Sequence, residues 1–204
     1  DFRGKYGPTL GFHGAQLVKG GAKHRWETVR NALAAVPEDA THIAVHDAAR
    51  PGVSKDVLDR VFAAAETVDA VIPVVPVSNT IKRVSNEATD VGQAEDAIAD
   101  LILGDAGRVS VKARAVEQTI DRSNLVEVQT PQVFKTALLK RAYAQANLEG
   151  VTDDAAVVER LGEKVFTVDG DVRNIKITTP ADLHLMRAIL NVAPPAERPV
   201  HKRF

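Results

Sequence analysis

The stretch THIAVHDAARP, Thr41 to Pro51, decides how this chain is read. His42-Ile43-Ala44-Val45 is a short apolar strand that ends on His46, Asp47 and Arg50 before Pro51-Gly52 breaks the chain. In an open α/β sheet, ligands bind just beyond the carboxyl ends of parallel strands. An acid and a fixed cation at that edge are placed to meet a phosphate, a metal ion or both. The plainer reading makes Asp47 a turn cap with Arg50 as its surface partner. It loses ground because further polar clusters also follow apolar strands.

Working outward, Gln16-Leu17-Val18 is a strand candidate ending at Gly20-Gly21. A helix from about His24 to Val36 presents Trp26, Val29, Leu33 and Val36 at helical spacing. Beyond Pro51, Ser54 caps the next helix, with Asp56 favourable in its positive first turn. Val57, Leu58, Val61, Phe62 and Ala65 form its expected buried stripe. Ala70 to Val77 is a β-branched run too apolar for a surface strand. Its prolines imply an edge, a bulge or an early exit from pairing. Helix, strand, helix, strand is the alternation of an α/β fold, Rossmann-like and three-layered, with a parallel sheet between helices.

After Thr80 the pattern changes. Asn86 to Ala115 is polar, with an amphipathic helix through Ala94, Ile98, Leu101 and Ile102. Val109 to Ile120 alternates in part and reads as a strand of a protruding β-arm at about 82–122. The α/β pattern resumes with a strand from Leu125 to Val128. Leu138, Leu139, Ala142, Tyr143 and Ala146 make a helix stripe. Thr152 is the expected cap of a helix holding Val157, Val158 and Leu161, stopped by Gly162. Val165 to Val168 and Asn174 to Ile177 read as strands. Thr179, Pro180 and Asp182 open a last helix as N-cap, N1 and N3. Residues 1–192 thus read as one domain with an arm, and 193–204 as a disordered tail.

The chain of 204 residues is 45% hydrophobic and 26% charged, enough for a core and a solvated surface. A net charge of −1 gives no basic field for nucleic acid. The absence of cysteine excludes disulfides, thiolate metal sites and cysteine nucleophiles. No apolar run approaches the ~20 residues of a membrane helix, and no leader is visible. Asp1 to Gly7 is neither leader nor strand, so the chain reads as starting inside a longer protein. The phosphate-loop, dinucleotide, zinc-protease and nucleophile-elbow motifs are all missing. The six histidines lack metal-ligand spacing.

Other polar clusters are weaker singly. His24 and Arg25 open a helix, and helix N-termini attract anions, with Thr28 one turn on. Thr80 and Lys82 follow the apolar strand. Thr130 sits in QTPQ. Thr152-Asp153-Asp154 reads first as a capped helix start. Lys176 alternates to the opposite face from Ile175 and Ile177, toward water or into a cleft.

Taken in order, GGAKHRWETV, VHDAARP, PVSNTIKRV, TIDRSNL, VQTPQVF, VTDDAAVVE and NIKITTPADL resemble one family, from about Val18 to Leu190. It is the 2-C-methyl-D-erythritol 4-phosphate cytidylyltransferase family of the non-mevalonate isoprenoid pathway. The resemblance implies a nucleotidyltransferase sheet, CTP and the polyol phosphate as substrates, Mg²⁺ as cofactor and a cytoplasmic homodimer. It places Asp47 between substrate and the metal–nucleotide, as catalytic residue and metal ligand, with Lys176 as the second catalytic residue. Gly21, Arg25 and Thr28 line the cytidine side. Arg50 binds phosphate. Thr80, Arg122, Thr130 and Lys176 hold the polyol phosphate or the developing charge, with Thr80 and Arg122 coming from the partner's arm. Ribitol 5-phosphate cytidylyltransferases share much of the pattern and are the nearest alternative. A non-catalytic sugar-phosphate-binding or dimerisation relic is another.

Departures from the family are specific. Asn79 replaces its usual Asp, the 86–115 connection is longer, and Arg25 lies one residue further from Gly21. The family's first strand, Gly-rich nucleotide loop and Pro-Lys segment find no counterpart. The resemblance therefore implies an N-terminally truncated enzyme, and residues 1–204 alone are expected to be inactive, unable to transfer a cytidylyl group at a useful rate.

Overall fold

Apolar periodicity predicts two helical layers on one sheet, and the arrangement of the strands shows how far that holds. The computed structural model describes residues 2–91 and 111–193. In chain order the elements are α1 (Phe2–Phe12), α2 (Arg25–Leu33), β1 (His42–Val45), α3 (Lys55–Ala65) and β2 (Ala70–Pro76). Next come β3 (Ile81–Val84), β4 (Thr89–Val91), β5 (Val111–Ala113), β6 (Val116–Ile120) and β7 (Val126–Val128). The remainder are β8 (Gln132–Lys135), α4 (Thr136–Tyr143), α5 (Asp154–Arg160), β9 (Phe166–Asp169) and α6 (Pro180–Ile189). The helix expected through Ala94 to Ile102, the start of the strand expected at Val109 and the tail beyond Ala193 lie outside the described residues.

The chain divides into two units, one of residues up to Val75 and from Val128 onward, the other Pro76–Glu127. The second is slightly wider than the arm expected at 82–122.

In the first unit β8 lies between β1 and β2 and is antiparallel to both, with Ile43 opposite Phe134 and Val71 opposite Val133. β9 runs parallel to β2, from Val71 opposite Phe166 to Val74 opposite Asp169. The sheet is therefore mixed, not parallel as the alternation implied. β1, β2 and β9, all legible in sequence, do share one direction, so their carboxyl ends meet at one edge. β8 escapes a periodicity search because its four residues run directly into α4 without a turn between them.

Adjacent residues feed opposite layers, as a pleated strand requires. Ala70 and Phe134 face Leu33, Leu139, Tyr143, Val157 and Val158, so α2, α4 and α5 cover one face. Val71 and Val133 face Val57, Val61 and Ala65 of α3 on the other. These are the expected three layers. α3 buries an i, i+4, i+8 row only. Phe62, expected in the stripe, is turned ~100° from Val61 around the helix and is exposed.

Proline explains how β2 ends. Its pairing with β8 stops at Val71, two residues before Pro73, which has no amide hydrogen to donate. The Pro73 carbonyl instead accepts from the Gln129 amide at 2.8 Å. β2 is thus an interior strand with an early exit.

Three local expectations change. Gln16 to Val18 forms no strand. Asp153, not Thr152, caps α5, its carboxylate accepting from the Ala156 amide at 3.0 Å. Asn174 to Ile177 is not a strand, because its backbone bonds to a turn: the Ile177 amide donates to the Ala49 carbonyl at 2.8 Å. The α6 cap is as expected, with Thr179 and Asp182 bonding each other's backbone amides.

The second unit is built on two antiparallel ladders, β3 with β6 and β4 with β5, the former broken by a bulge at Arg83/Val84. None of its described residues is buried.

Candidate active site

β1 delivers its last residues to the carboxyl edge of the sheet, where they turn back: the Arg50 amide donates to the Asp47 carbonyl at 2.9 Å. Thr130, just before β8, braces this turn. Its hydroxyl oxygen accepts from the Asp47 amide at 3.0 Å and lies 2.9 Å from His46 Nδ1. His46 Nε2 lies 3.0 Å from the Arg50 carbonyl, which can only accept. Neutral His46 therefore carries its proton on Nε2 and accepts the Thr130 hydroxyl proton at Nδ1. One arrangement satisfies all four groups.

The Asp47 carboxylate, 16% exposed, gathers three cations. Lys176 Nζ stands 2.9 Å away, an Arg25 nitrogen 3.3 Å and Arg50 Nε 3.9 Å. Burial pushes the Asp47 pKa up, but hydrogen bonds and charge from Lys176 and Arg25 outweigh it, so the carboxyl is held below its ordinary value.

Each cation has its own anchor. Arg50 donates to the Asn174 carbonyl at 2.7 Å and the Val128 carbonyl at 3.3 Å. Asn174 is fully buried and donates from its side chain to the Thr130 carbonyl at 2.9 Å. That bond and the Ile177–Ala49 bond fasten the NIKIT segment to the β1 turn. Lys176 is thereby aimed into the cleft, the alternative that sequence periodicity could not select. Arg25, in the first turn of α2, also pairs with Asp154 of α5 at 2.8 Å.

These groups line a cleft of about 400 Å³, with Gln132 and Asp153 on its far wall. Gln132 bridges to that wall, donating to Asp153 at 2.8 Å and accepting from the Ala155 amide at 2.9 Å. Sequence reasoning singled out Asp47, Arg50, Arg25, Thr130 and Lys176, and the structure brings all five together. It missed His46 as a brace, Asn174, Gln132 and the buried partners of Arg25. A polar residue in an apolar strand or helix start was the available signal for Gln132 and Asp154.

Gly21 and Thr28 are paired with each other: the Gly21 amide donates to the Thr28 hydroxyl at 2.9 Å. A Cβ on Gly21 would stand 2.2 Å from Glu27 Cβ, so only glycine fits that turn. Thr80 and Arg122 belong to the second unit. Arg122 is held there by the Val77 and Ser78 carbonyls, and Thr80 is exposed.

The sequence pattern of 2-C-methyl-D-erythritol 4-phosphate cytidylyltransferases matches residues 5–97 and 89–192. The chain belongs to that family. A 2-C-methyl-D-erythritol 4-phosphate cytidylyltransferase of Neisseria gonorrhoeae is 36% identical over 186 residues, 88% of this chain and 69% of the relative. The bifunctional enzyme IspD/IspF of Sphingopyxis alaskensis is 41% identical over 169 residues, 81% of this chain and 36% of that longer protein. Among solved structures, 2-C-methyl-D-erythritol 4-phosphate cytidylyltransferase from Thermus thermophilus superposes with a TM-score of 0.63 at 33% identity. That match covers 88% of this chain and 78% of the other. The chain is thus a nucleotidyltransferase of α/β fold, and the Asp47 cleft is its candidate active site. Among the described residues, no helix is long and apolar enough to cross a membrane.

Proposed function

We propose that this cytidylyltransferase joins CTP to 2-C-methyl-D-erythritol 4-phosphate and works in the cytoplasm. A phosphate oxygen of the polyol phosphate attacks the α-phosphorus of CTP. The new P–O bond forms as the bond to the β-phosphate oxygen breaks, and pyrophosphate leaves with that electron pair. The products are 4-diphosphocytidyl-2-C-methyl-D-erythritol and pyrophosphate. The attacking oxygen is already ionised at neutral pH, so no general base is required.

The single observation behind this reading is the gathering of Arg25, Arg50 and Lys176 around Asp47 at the carboxyl edge of β1. Phosphoryl transfer asks the protein mainly for positioning and fixed positive charge. Lys176 supplies a mobile point charge for the phosphate oxygens. Arg50, locked by two carbonyls, supplies a fixed fork for the polyol phosphate. Arg25 faces the nucleotide. Asp47 keeps these like charges together while the site is empty.

Asp47 also fits Mg²⁺. It is a hard oxygen donor on the cleft, and Mg²⁺ is commonly held by one or two carboxylates plus substrate phosphates. Held by Asp47, the ion would neutralise charge on the nucleotide phosphates.

The assembly is read as a homodimer through the arm. Val91, Val111 and Val116, 58%, 56% and 62% exposed, give the arm an apolar surface that a second copy would cover. Thr80 and Arg122 would then serve the partner's cleft.

The test is pyrophosphate release from CTP with Mg²⁺ and either 2-C-methyl-D-erythritol 4-phosphate or ribitol 5-phosphate. Lys176→Met should lower turnover by ~10²-fold, the usual effect of losing one preorganised donor. Faster release with ribitol 5-phosphate would reassign the acceptor. No release with either, in protein that also carries the family's Gly-rich nucleotide loop, would reject cytidylyl transfer.

A further inference from the structure

Asp154 is the most deeply buried carboxylate near the cleft, with no exposed surface, yet it touches no cleft space. It sits in the first turn of α5 between two side chains from other elements. Tyr143, at the end of α4 and itself buried, donates its hydroxyl to one Asp154 oxygen at 2.5 Å. Arg25, at the start of α2, meets the other oxygen at 2.8 Å. The same Arg25 nitrogen reaches Asp47 at 3.3 Å. Arg25 therefore lies between a wholly buried acid and a cleft acid, held more closely by the buried one.

That asymmetry has a consequence for binding. A buried carboxylate that loses its cation is left uncompensated, so Arg25 stays with Asp154 when other partners change. Asp47 keeps Lys176 and Arg50 nearby, so it can release Arg25 without losing all its positive neighbours. An arriving anion can displace Asp47 from Arg25 but not Asp154. Tyr143 fills the second Asp154 oxygen, so that the acid cannot rotate away from Arg25. Three helices thus converge to hold one guanidinium at the cleft wall.

We propose that Asp154 and Tyr143 are positioning residues that aim Arg25 at the phosphates of the bound nucleoside triphosphate. The inference rests on the cytidylyl-transfer reading for the identity of that ligand, and on geometry alone for the aiming of Arg25. Neither residue touches substrate. Both act through Arg25, whose terminal nitrogen faces Asp154 on one side and the cleft acid, the place an arriving phosphate would take, on the other.

The experiment uses the full chain and two variants, Tyr143→Phe and Asp154→Asn, with Arg25→Lys as the control that keeps charge and loses the fork. Nuclear magnetic resonance of the Arg25 guanidinium protons reads its fixation without substrate. A slowly exchanging signal is expected in the wild type, weakened in Tyr143→Phe and lost in Asp154→Asn. Calorimetry with CTP and Mg²⁺, and steady-state kinetics, read the consequence. Tyr143→Phe removes one hydrogen bond and should weaken CTP binding and raise its KM by about 2- to 10-fold. The KM for the polyol phosphate should stay at the wild-type value, a split that general loosening of the fold would not produce. Asp154→Asn should weaken CTP more than Tyr143→Phe, and Arg25→Lys, which keeps the charge and loses the fork, should weaken it as well. If Asp154→Asn does not fold, Tyr143→Phe, which keeps the buried ring, carries the test.

Unchanged guanidinium exchange and unchanged CTP affinity in a folded Tyr143→Phe would overturn the proposal. Equal rises in both KM values would overturn it too, by showing a structural role only. If the wild type shows the fixed Arg25 signal but binds no CTP, the functional reading fails and the aiming of Arg25 stands.

Discussion

The unit around the Asp47 cleft and the arm at Pro76–Glu127 are made on different principles. The first buries Phe134, Leu139, Val157 and Val158 between helices and sheet, and its polar residues bond across the whole chain. Asp47 meets Lys176, and Arg25 meets Asp154, from elements far apart in sequence. None of the arm's described residues is fully buried, and it holds its form by backbone ladders between its own strands. A packed core fixes side chains to within fractions of an ångström, which a catalytic cleft needs. A ladder with bare valines fixes only a ribbon and leaves its surface for another chain.

The largest effect expected from this contrast is on stability. Phe134→Ala should cost about 3–5 kcal/mol, the range for removing a core aromatic. Val91→Ala in the arm, measured on the dissociated protein, should stay within about 0.5 kcal/mol. Urea unfolding of both variants would measure this, and equal losses would erase the distinction between the units.

Next comes chemistry. Asp47→Asn keeps the shape of the cleft and removes the charge that gathers three cations. Turnover should fall ~10²-fold or more, ~3 kcal/mol of transition-state stabilisation. Near-normal turnover would show that the cations do not depend on this acid.

A smaller effect separates assembly from packing. A double change, Val111→Asp with Val116→Asp, places charge on the arm's apolar surface. Sedimentation at micromolar concentration should show a dimer in the wild type and a monomer in the variant. The variant's urea midpoint should match that of the dissociated wild type, since neither residue supports a core. A wild-type monomer would remove the arm's proposed role.

The smallest effect is the acid limb of stability. Asp182 in the α6 capping box accepts from the Thr178 and Thr179 amides and the Thr178 hydroxyl. These bonds hold its pKa at about 2, below the ordinary 3.8. A carboxylate depressed on folding contributes stability that is complete above the unfolded value and is lost as pH falls through the folded value. Asp182→Asn should therefore lower the urea midpoint at neutral pH. Its deficit should close between pH 3.8 and about 2. A deficit that is constant with pH would place the loss in the cap's shape instead of its charge.

Much of this was legible before any coordinates. The apolar runs at His42–Val45 and Ala70–Val77 became strands pointing the same way, and the helix stripes and the Ser54 and Thr179 caps formed where expected. These features depend on neighbours within a few residues, through pleat, helical turn and local hydrogen bonds. Phe62 failed because periodicity marks candidates for burial without saying how wide the covered stripe is. Asn174–Ile177 failed because its bonds go to a turn, not to a strand.

The sequence by itself determined the family, the layer order and the polar residues gathered at the edge of β1. Only the tertiary structure decided that β8 threads antiparallel between β1 and β2. It also turned Lys176 into the cleft, made His46 a brace and put Asp154 and Tyr143 behind Arg25. The reason is range. A strand or helix is selected by interactions a few residues long. A cleft needs segments from opposite ends of the chain to close on one another, and side-chain spacing along the chain carries no record of that closure.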